Sequence, residues 1–182
     1  MKAAFYLLTI VGLIGSYDVL YWHWYKLRLF RLPAARWENL THAIRALLFA
    51  VMTLLVLHVD ARGWWWPVYP AVLAVEVANT MSDVILEPKS RRNIGGLPAT
   101  EYVVHIFLSI LTGAALACVV WGTRDLLHAS TYLGLRTIDI PAYVRAGAYL
   151  SVVIALGMFA FELRGFFRLA PHAKAALRTQ AG

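Results

Sequence analysis

The sequence is short of three things. Its only cysteine among 182 residues is Cys118, so an intrachain disulfide and any multi-cysteine zinc or iron–sulfur site are excluded. Cys118 lies in the apolar run LTGAALACVVW and reads as a small packing residue. Charge is scarce, at 15% of residues with ten Asp and Glu in all, where soluble domains carry about a quarter. That excludes an ordinary soluble enzyme. Recognisable catalytic loops are also missing. There is no phosphate-cradling Gly-rich loop, Gly95-Gly96 reads as a turn, and Ser16, Ser82, Ser109 and Ser151 lack a nucleophile elbow.

What is present is hydrocarbon. The chain is 60% hydrophobic with mean hydropathy +0.63. A bilayer core of about 30 Å takes roughly 20 apolar residues as a helix. Five stretches reach that length, near 3–25, 40–58, 64–86, 102–122 and 142–163. Pro67 and Pro70 fall in the first turns of the third stretch, where a missing amide donor matters least. No alternating pattern of useful length competes, so the expected fold class is all-α, an integral membrane protein of five transmembrane helices. The first stretch lacks a basic leader and a cleavage site, and reads as a retained helix.

The formal charge of +7 would suggest nucleic acid on a soluble domain. Here the basic residues sort by loop. Lys26, Arg28, Arg31, Arg36, Lys89, Arg91, Arg92, Arg164, Arg168, Lys174 and Arg178 fall on one side, against Lys2, Arg62, Arg124, Arg136 and Arg145 on the other. The positive-inside rule then places the N-terminus outside and the C-terminus in the cytoplasm, in a membrane of bacterial inner-membrane type. No nucleic-acid partner is needed.

Two segments repeat. DVLYWHWYKLRLFRLPAARWENLTHAIRALLF begins at Asp18, and DVILEPKSRRNIGGLPATEYVVHIFLSI at Asp83. Each runs from Asp-Val-Leu/Ile through a basic loop to Leu-Pro-Ala, then opens the next helix with Glu-x-x-x-His: Glu38/His42 and Glu101/His105. This predicts a single domain over 1–182 made of a duplicated hairpin (about 3–58 and 64–122), an extra helix over 142–168 and a cytoplasmic tail over 169–182. The two hairpins would form an antiparallel four-helix bundle.

Helix geometry places residues i and i+4 on one face. Each hairpin thus offers a carboxylate and an imidazole pointing one way, with Asp18 or Asp83 at the same level. Carboxylates inside a membrane face the bundle interior and need compensation, and oxygen with nitrogen donors suits iron, manganese or zinc. The pattern resembles the ferritin-like di-metal carboxylate bundles, in which two helices each give a carboxylate and two give a Glu-x-x-His motif. The resemblance covers about residues 18–105, is one of arrangement, and departs in having Glu-x-x-x-His spacing and Asp on the partner helices. It implies two divalent ions, held by Asp18, Glu38 and His42 and by Asp83, Glu101 and His105. The alternative for each Glu/His pair is an N-terminal Glu favoured by the helix dipole with a hydrogen-bonded His, and for the Asp residues a solvated helix end or pairing with loop arginine.

Glu76 lies two turns before Asp83 on the same face, and Arg45 one turn beyond His42. They are an ion pair or, beneath the metals, a catalytic or substrate-contacting pair. Asn79 shares that face, as packing or as a metal-supporting residue. His23 falls roughly 140° from Asp18 on a regular helix and, within WHWY, reads first as interfacial and second as an extra ligand. Glu87, four residues after Asp83, could reach the site but reads first as a solvated partner of Lys89 and Arg91, and Glu162 as a partner of Arg164 or solvent. Tyr17 and Tyr21 read as belt residues, and His58, His128 and His172 as surface. The leading expectation is a dinuclear, di-iron-like oxidoreductase acting on a lipid-soluble substrate near the cytoplasmic face, with a homo-oligomer or an electron-donor protein as compatible partners. Alternatives are a metal-dependent lipid hydrolase, a b-type haem protein with His42 and His105 as axial ligands, and a transporter. The transporter is disfavoured because the outer half of the spans carries no polar path.

Overall fold

The computed structural model describes the backbone of residues 1–180 and the side chains of residues 1–170. His172, Lys174 and Arg178 of the C-terminal tail lie outside the described side chains. The described residues are predominantly helical. Helix α1 spans Lys2–Tyr17 and continues without a break as a π-helix over Asp18–Lys26. Then come α2 (Arg36–His58), strand β1 (Val59–Arg62), α3 (Val68–Ser90), α4 (Ala99–Thr123), strand β2 (Tyr132–Leu135) and α5 (Ala142–Gln180). Five helical segments are long and apolar enough to cross a membrane: Lys2–Lys26, Pro33–His58, Gly63–Ser90, Ala99–His128 and Ala142–Ala170.

Proline sets the starts. Pro33 opens the 3₁₀ turn that leads into α2, while Pro67 and Pro98 immediately precede α3 and α4, positions where the missing amide leaves no helical bond unmade. Glu38 and Glu101 then fall in the first turns of α2 and α4, where the helix dipole favours a carboxylate. Between α3 and α4 the chain reverses through Gly95 and Gly96 at φ +90° and +85°. A Cβ at either would meet nothing within 4 Å, so glycine is needed there for its backbone freedom rather than for space.

One end of the molecule carries a small antiparallel ribbon, β1 with β2, in register Val59↔Leu135 and Arg62↔Tyr132. Strands of four residues are too short to leave an alternating signature in the sequence. The Tyr69 hydroxyl donates to the Val59 carbonyl at 2.6 Å, and the Trp66 indole to Thr123 at 3.2 Å. Below them Phe5, Leu8, Val56, Leu57, Val119 and Val144 form the main apolar core. At the ribbon, Asp60 accepts both Nε and Nη2 of Arg62, and this hydrogen-bonded guanidinium holds its carboxyl below the usual range.

Helix α2 packs against α5 on one side and α3 on the other, and α1 packs against α4 and α5. Helices α3 and α4 barely meet. A cavity of about 310 Å³ occupies the space they leave. At the end opposite the ribbon, the C-terminal part of the first helical segment, the start of α2, the end of α3 and the start of α4 come together around the ionisable residues.

Candidate metal centre

The polar end is assembled from four helices, and the first departs from α-helical geometry to do it. In a regular α-helix, residues five apart point roughly 140° away from each other. Over Asp18–Lys26 the backbone is a π-helix, whose hydrogen bonds join residues five apart and therefore stack them. His23 is thereby turned onto the face of Asp18. It is 2% exposed, in the interior rather than at the interface expected for it. Arg28, at φ +53°, turns the chain out of this segment.

Four ligand atoms, one each from Asp18, His23, Glu101 and His105, lie within 4.8 Å of one another. The Nε2 of His23 is 3.6 Å from Asp18 Oδ2 and 3.1 Å from Glu101 Oε1. The Nε2 of His105 is 3.3 Å from Asp18 Oδ2 and 3.9 Å from Glu101 Oε1. Donors bound to one ion at about 2.1 Å sit roughly 3.0–3.4 Å apart, so small movements would close this set around a single ion. Two buried carboxylate oxygens here, Asp18 Oδ1 and Glu101 Oε2, have no hydrogen-bond partner. Buried anionic oxygens without partners are costly, and a cation satisfies both. The donor set therefore fits a divalent metal.

The α2/α3 side is arranged differently. His42 Nε2 lies 3.4 Å from Asp83 Oδ1, which also accepts the Thr41 hydroxyl at 2.6 Å. Arg45 Nη1 lies 3.0 Å from Asp83 Oδ2, while its Nε is 3.3 Å from Glu76 and its Nη2 donates to Thr80 at 3.3 Å. Asn79 donates to the Thr41 carbonyl at 2.9 Å, fixing α3 against α2. The rings of His23 and His42 stack at 4.3 Å between centroids, with their Nδ1 atoms 3.1 Å apart. The two sides are thus one connected cluster.

The two repeated aspartates find their histidine partners across the hairpins. Asp18 meets His105 and Glu101 of the second hairpin, and Asp83 meets His42 of the first. Spacing along the chain places six ligand types at one end but cannot say which helices adjoin, and it grouped Asp18 with Glu38 and His42.

Arg91 holds the cluster from below. It is fully buried, with Nε and Nη2 on Glu38 Oε1 at 2.9 and 2.6 Å, Nη1 on Glu101 Oε1 at 2.7 Å and Nη2 3.1 Å from Glu87. Burial pulls this guanidinium down, but Glu38 and then Glu101 outweigh it and hold it above its ordinary value. Glu38 also accepts the Ser90 hydroxyl, so both its oxygens are taken. Counted as a loop base, Arg91 gives no sign in the sequence of being an internal clamp. Glu87 pairs with Arg91 as expected, but partly buried rather than solvated, and lies 3.8 Å from the Nδ1 of His105. Glu162 is likewise buried, accepting the Trp24 indole at 2.6 Å rather than pairing with Arg164. Tyr17 and Tyr21 stack on each other at the exposed surface, and His128 is exposed.

Asp18, His23, His42, Arg45, Asp83 and His105 all line the cavity between α3 and α4. The cluster can therefore hold a cation while presenting it to a molecule in an otherwise apolar space. No protein-family model matches the chain, and no curated protein or solved structure matches it either.

Proposed function

We propose that the chain is an integral-membrane metalloprotein with a dinuclear centre, acting as an oxidoreductase on a lipid-soluble substrate near the cytoplasmic face. The observation that carries this reading is the convergence of Asp18, His23, Glu101 and His105, with unpartnered carboxylate oxygens, at the edge of an apolar cavity. The first ion takes these four residues. The second takes Asp83 and His42, with Glu87 one turn beyond Asp83.

Charge supports the count. Asp18, Glu38, Glu76, Asp83, Glu87 and Glu101 face only Arg45 and Arg91 in this cluster. With His23, His42 and His105 neutral, as metal ligands are, the six carboxylates exceed the two guanidiniums by four, the charge of two divalent ions, in a setting where uncompensated charge is expensive. Such ions supply redox chemistry when they are iron, or an activated hydroxide when they are zinc. The residues' own part is to fix their geometry, with Arg91 and Ser90 holding the carboxylates and Thr41 orienting Asp83. Iron fits the mixed oxygen and nitrogen set best, and zinc or manganese also fit.

Two copies of the hairpin, related as Asp18/Glu38/His42 and Asp83/Glu101/His105, account for the pseudo-symmetric placement in an antiparallel bundle. The bases clustered at this end of the helices support a cytoplasmic location for it. The haem alternative is disfavoured because the His23 ring lies against both His42 and His105, at 4.3 and 6.2 Å, in the space a haem between them would need. The test is metal analysis and oxygen uptake by purified protein reconstituted in lipid. Bound iron with oxygen-dependent turnover supports the oxidoreductase; zinc alone, with lipid hydrolysis, replaces it by the hydrolytic reading.

A further inference from the structure

The cavity has a polarity gradient. Away from the charged cluster it is walled by Leu8, Val11, Phe49, Met52, Leu73 and Leu116. Beside the cluster it reaches Arg45, Thr80 and Ser109. Its long side is the seam where α3 and α4 scarcely touch. There Gly113 lines the wall, and a Cβ on it would meet nothing within 4 Å. The seam lies within the stretches of α3 and α4 apolar enough to cross a bilayer, so in a membrane it faces lipid chains.

Arg45 is the group this space exposes. Its five N–H donors are only partly used by Glu76, Asp83 and Thr80, and its side chain is 35% exposed although it lies mid-helix. A guanidinium N–H turned into an apolar cavity requires an acceptor. The flanking Glu76 and Asp83 already exceed its single charge, so an anionic head would be repelled and a neutral oxygen acceptor would not.

We infer that the seam between α3 and α4 admits a lipid laterally, seating its hydrocarbon chain along Leu73, Phe49 and Leu116 and its uncharged oxygen head (a carbonyl or hydroxyl) against Arg45, beside the metal centre. This deepens the function proposed above and rests on its membrane setting.

The test is photolabelling of the full chain in phosphatidylcholine nanodiscs with a long-chain methyl ketone carrying a mid-chain diazirine. Metal content is measured on the same samples. Labelling is expected on peptides of α3 and α4 bordering the seam, reduced about tenfold by excess decyl-benzoquinone or hexadecanol and left unchanged by palmitate. Gly113→Phe, which fills the open space, and Met81→Trp, at the mouth of the seam, are each expected to lower labelling at least about fivefold while metal content stays at the wild-type level. If one variant fails to fold, the other carries the comparison. Labelling spread evenly over all helices, labelling unaffected by both substitutions, or competition by palmitate equal to that by the neutral lipids overturns the inference. Absence of metal with seam labelling intact overturns the metal reading instead, so the two fail separately.

Discussion

Asp83 and Asp18 hold the same position in the two segments that share Asp-Val, Leu-Pro-Ala and Glu-x-x-x-His, yet their carboxylates meet different partners. At Asp83 the protein supplies its own cation, Arg45, together with Thr41 and His42. At Asp18 no guanidinium is at hand: the pairing groups are the imidazoles of His105 and His23, the Glu101 carboxylate lies in the same group, and one Asp18 oxygen has no partner. Relative to His105, Leu108 stands where Arg45 stands relative to His42, and Val104 where Thr41 stands relative to it. Equal sequence signatures have therefore produced unequal sites. The α1/α4 side is left open for an ion, whereas on the α2/α3 side an ion competes with a guanidinium. The two ions of the proposed centre should bind with unequal affinity, the α1/α4 ion first.

The largest expected effect strikes at what both sides share. Arg91→Met strands Glu38 and Glu101 in the interior, and removing one partner of a buried charge cluster destabilises by about 3–5 kcal/mol. Chemical unfolding in detergent should show it, or the variant should fail to accumulate. A stability within about 1 kcal/mol of wild type would mean that the clamp is dispensable.

Asp18→Asn should weaken the tighter ion by at least about 100-fold and leave the looser one in place, whereas Asp83→Asn should do the reverse with a smaller change. Titration of metal-stripped protein resolves the two steps. Equal losses from both substitutions would erase the distinction between the sides.

Arg45→Leu makes the α2/α3 side resemble the other. It removes the competing guanidinium and should tighten the looser ion by about tenfold. Weaker binding of that ion would show that Arg45 supports the site rather than competing with it.

The smallest effect lies at the opposite end. Because Arg62 holds the Asp60 carboxyl below its ordinary value, the pair contributes stability above the unfolded carboxylate value, near pH 4. That contribution is lost as pH falls through the lower folded value. Asp60→Asn should lower the melting temperature slightly at pH 7 and converge with wild type in strong acid, with metal content unchanged throughout. A fall in metal content would couple the two ends of the molecule.

The contrast between the sides was only partly legible in the sequence. The helical architecture followed from five long apolar runs, because span length is set by simple dimensions. The position of Asp18, Glu38, His42, Asp83, Glu101 and His105 at one end followed from their places at helix termini. His23 was legible only as a second choice, since regular α-helical spacing turns it away from Asp18 and the π-helix returns it. Arg91 was hidden because a base in a short loop is ordinarily a solvated topology marker. The crossed pairing of Asp18 with His105 and Asp83 with His42 depends on how the hairpins dock, which local spacing does not encode. The ribbon of β1 and β2 escaped notice because four residues carry no period.

The most direct measurement of the central claim is metal per chain, by elemental analysis, in wild-type protein beside His105→Ala and His42→Ala, each incubated with iron, manganese and zinc and then freed of loose ions. The account predicts close to two ions in the wild type, loss of the tighter ion in His105→Ala, and loss of only the looser ion in His42→Ala. Full metal retained in both variants, or none bound by folded wild-type protein, would contradict it.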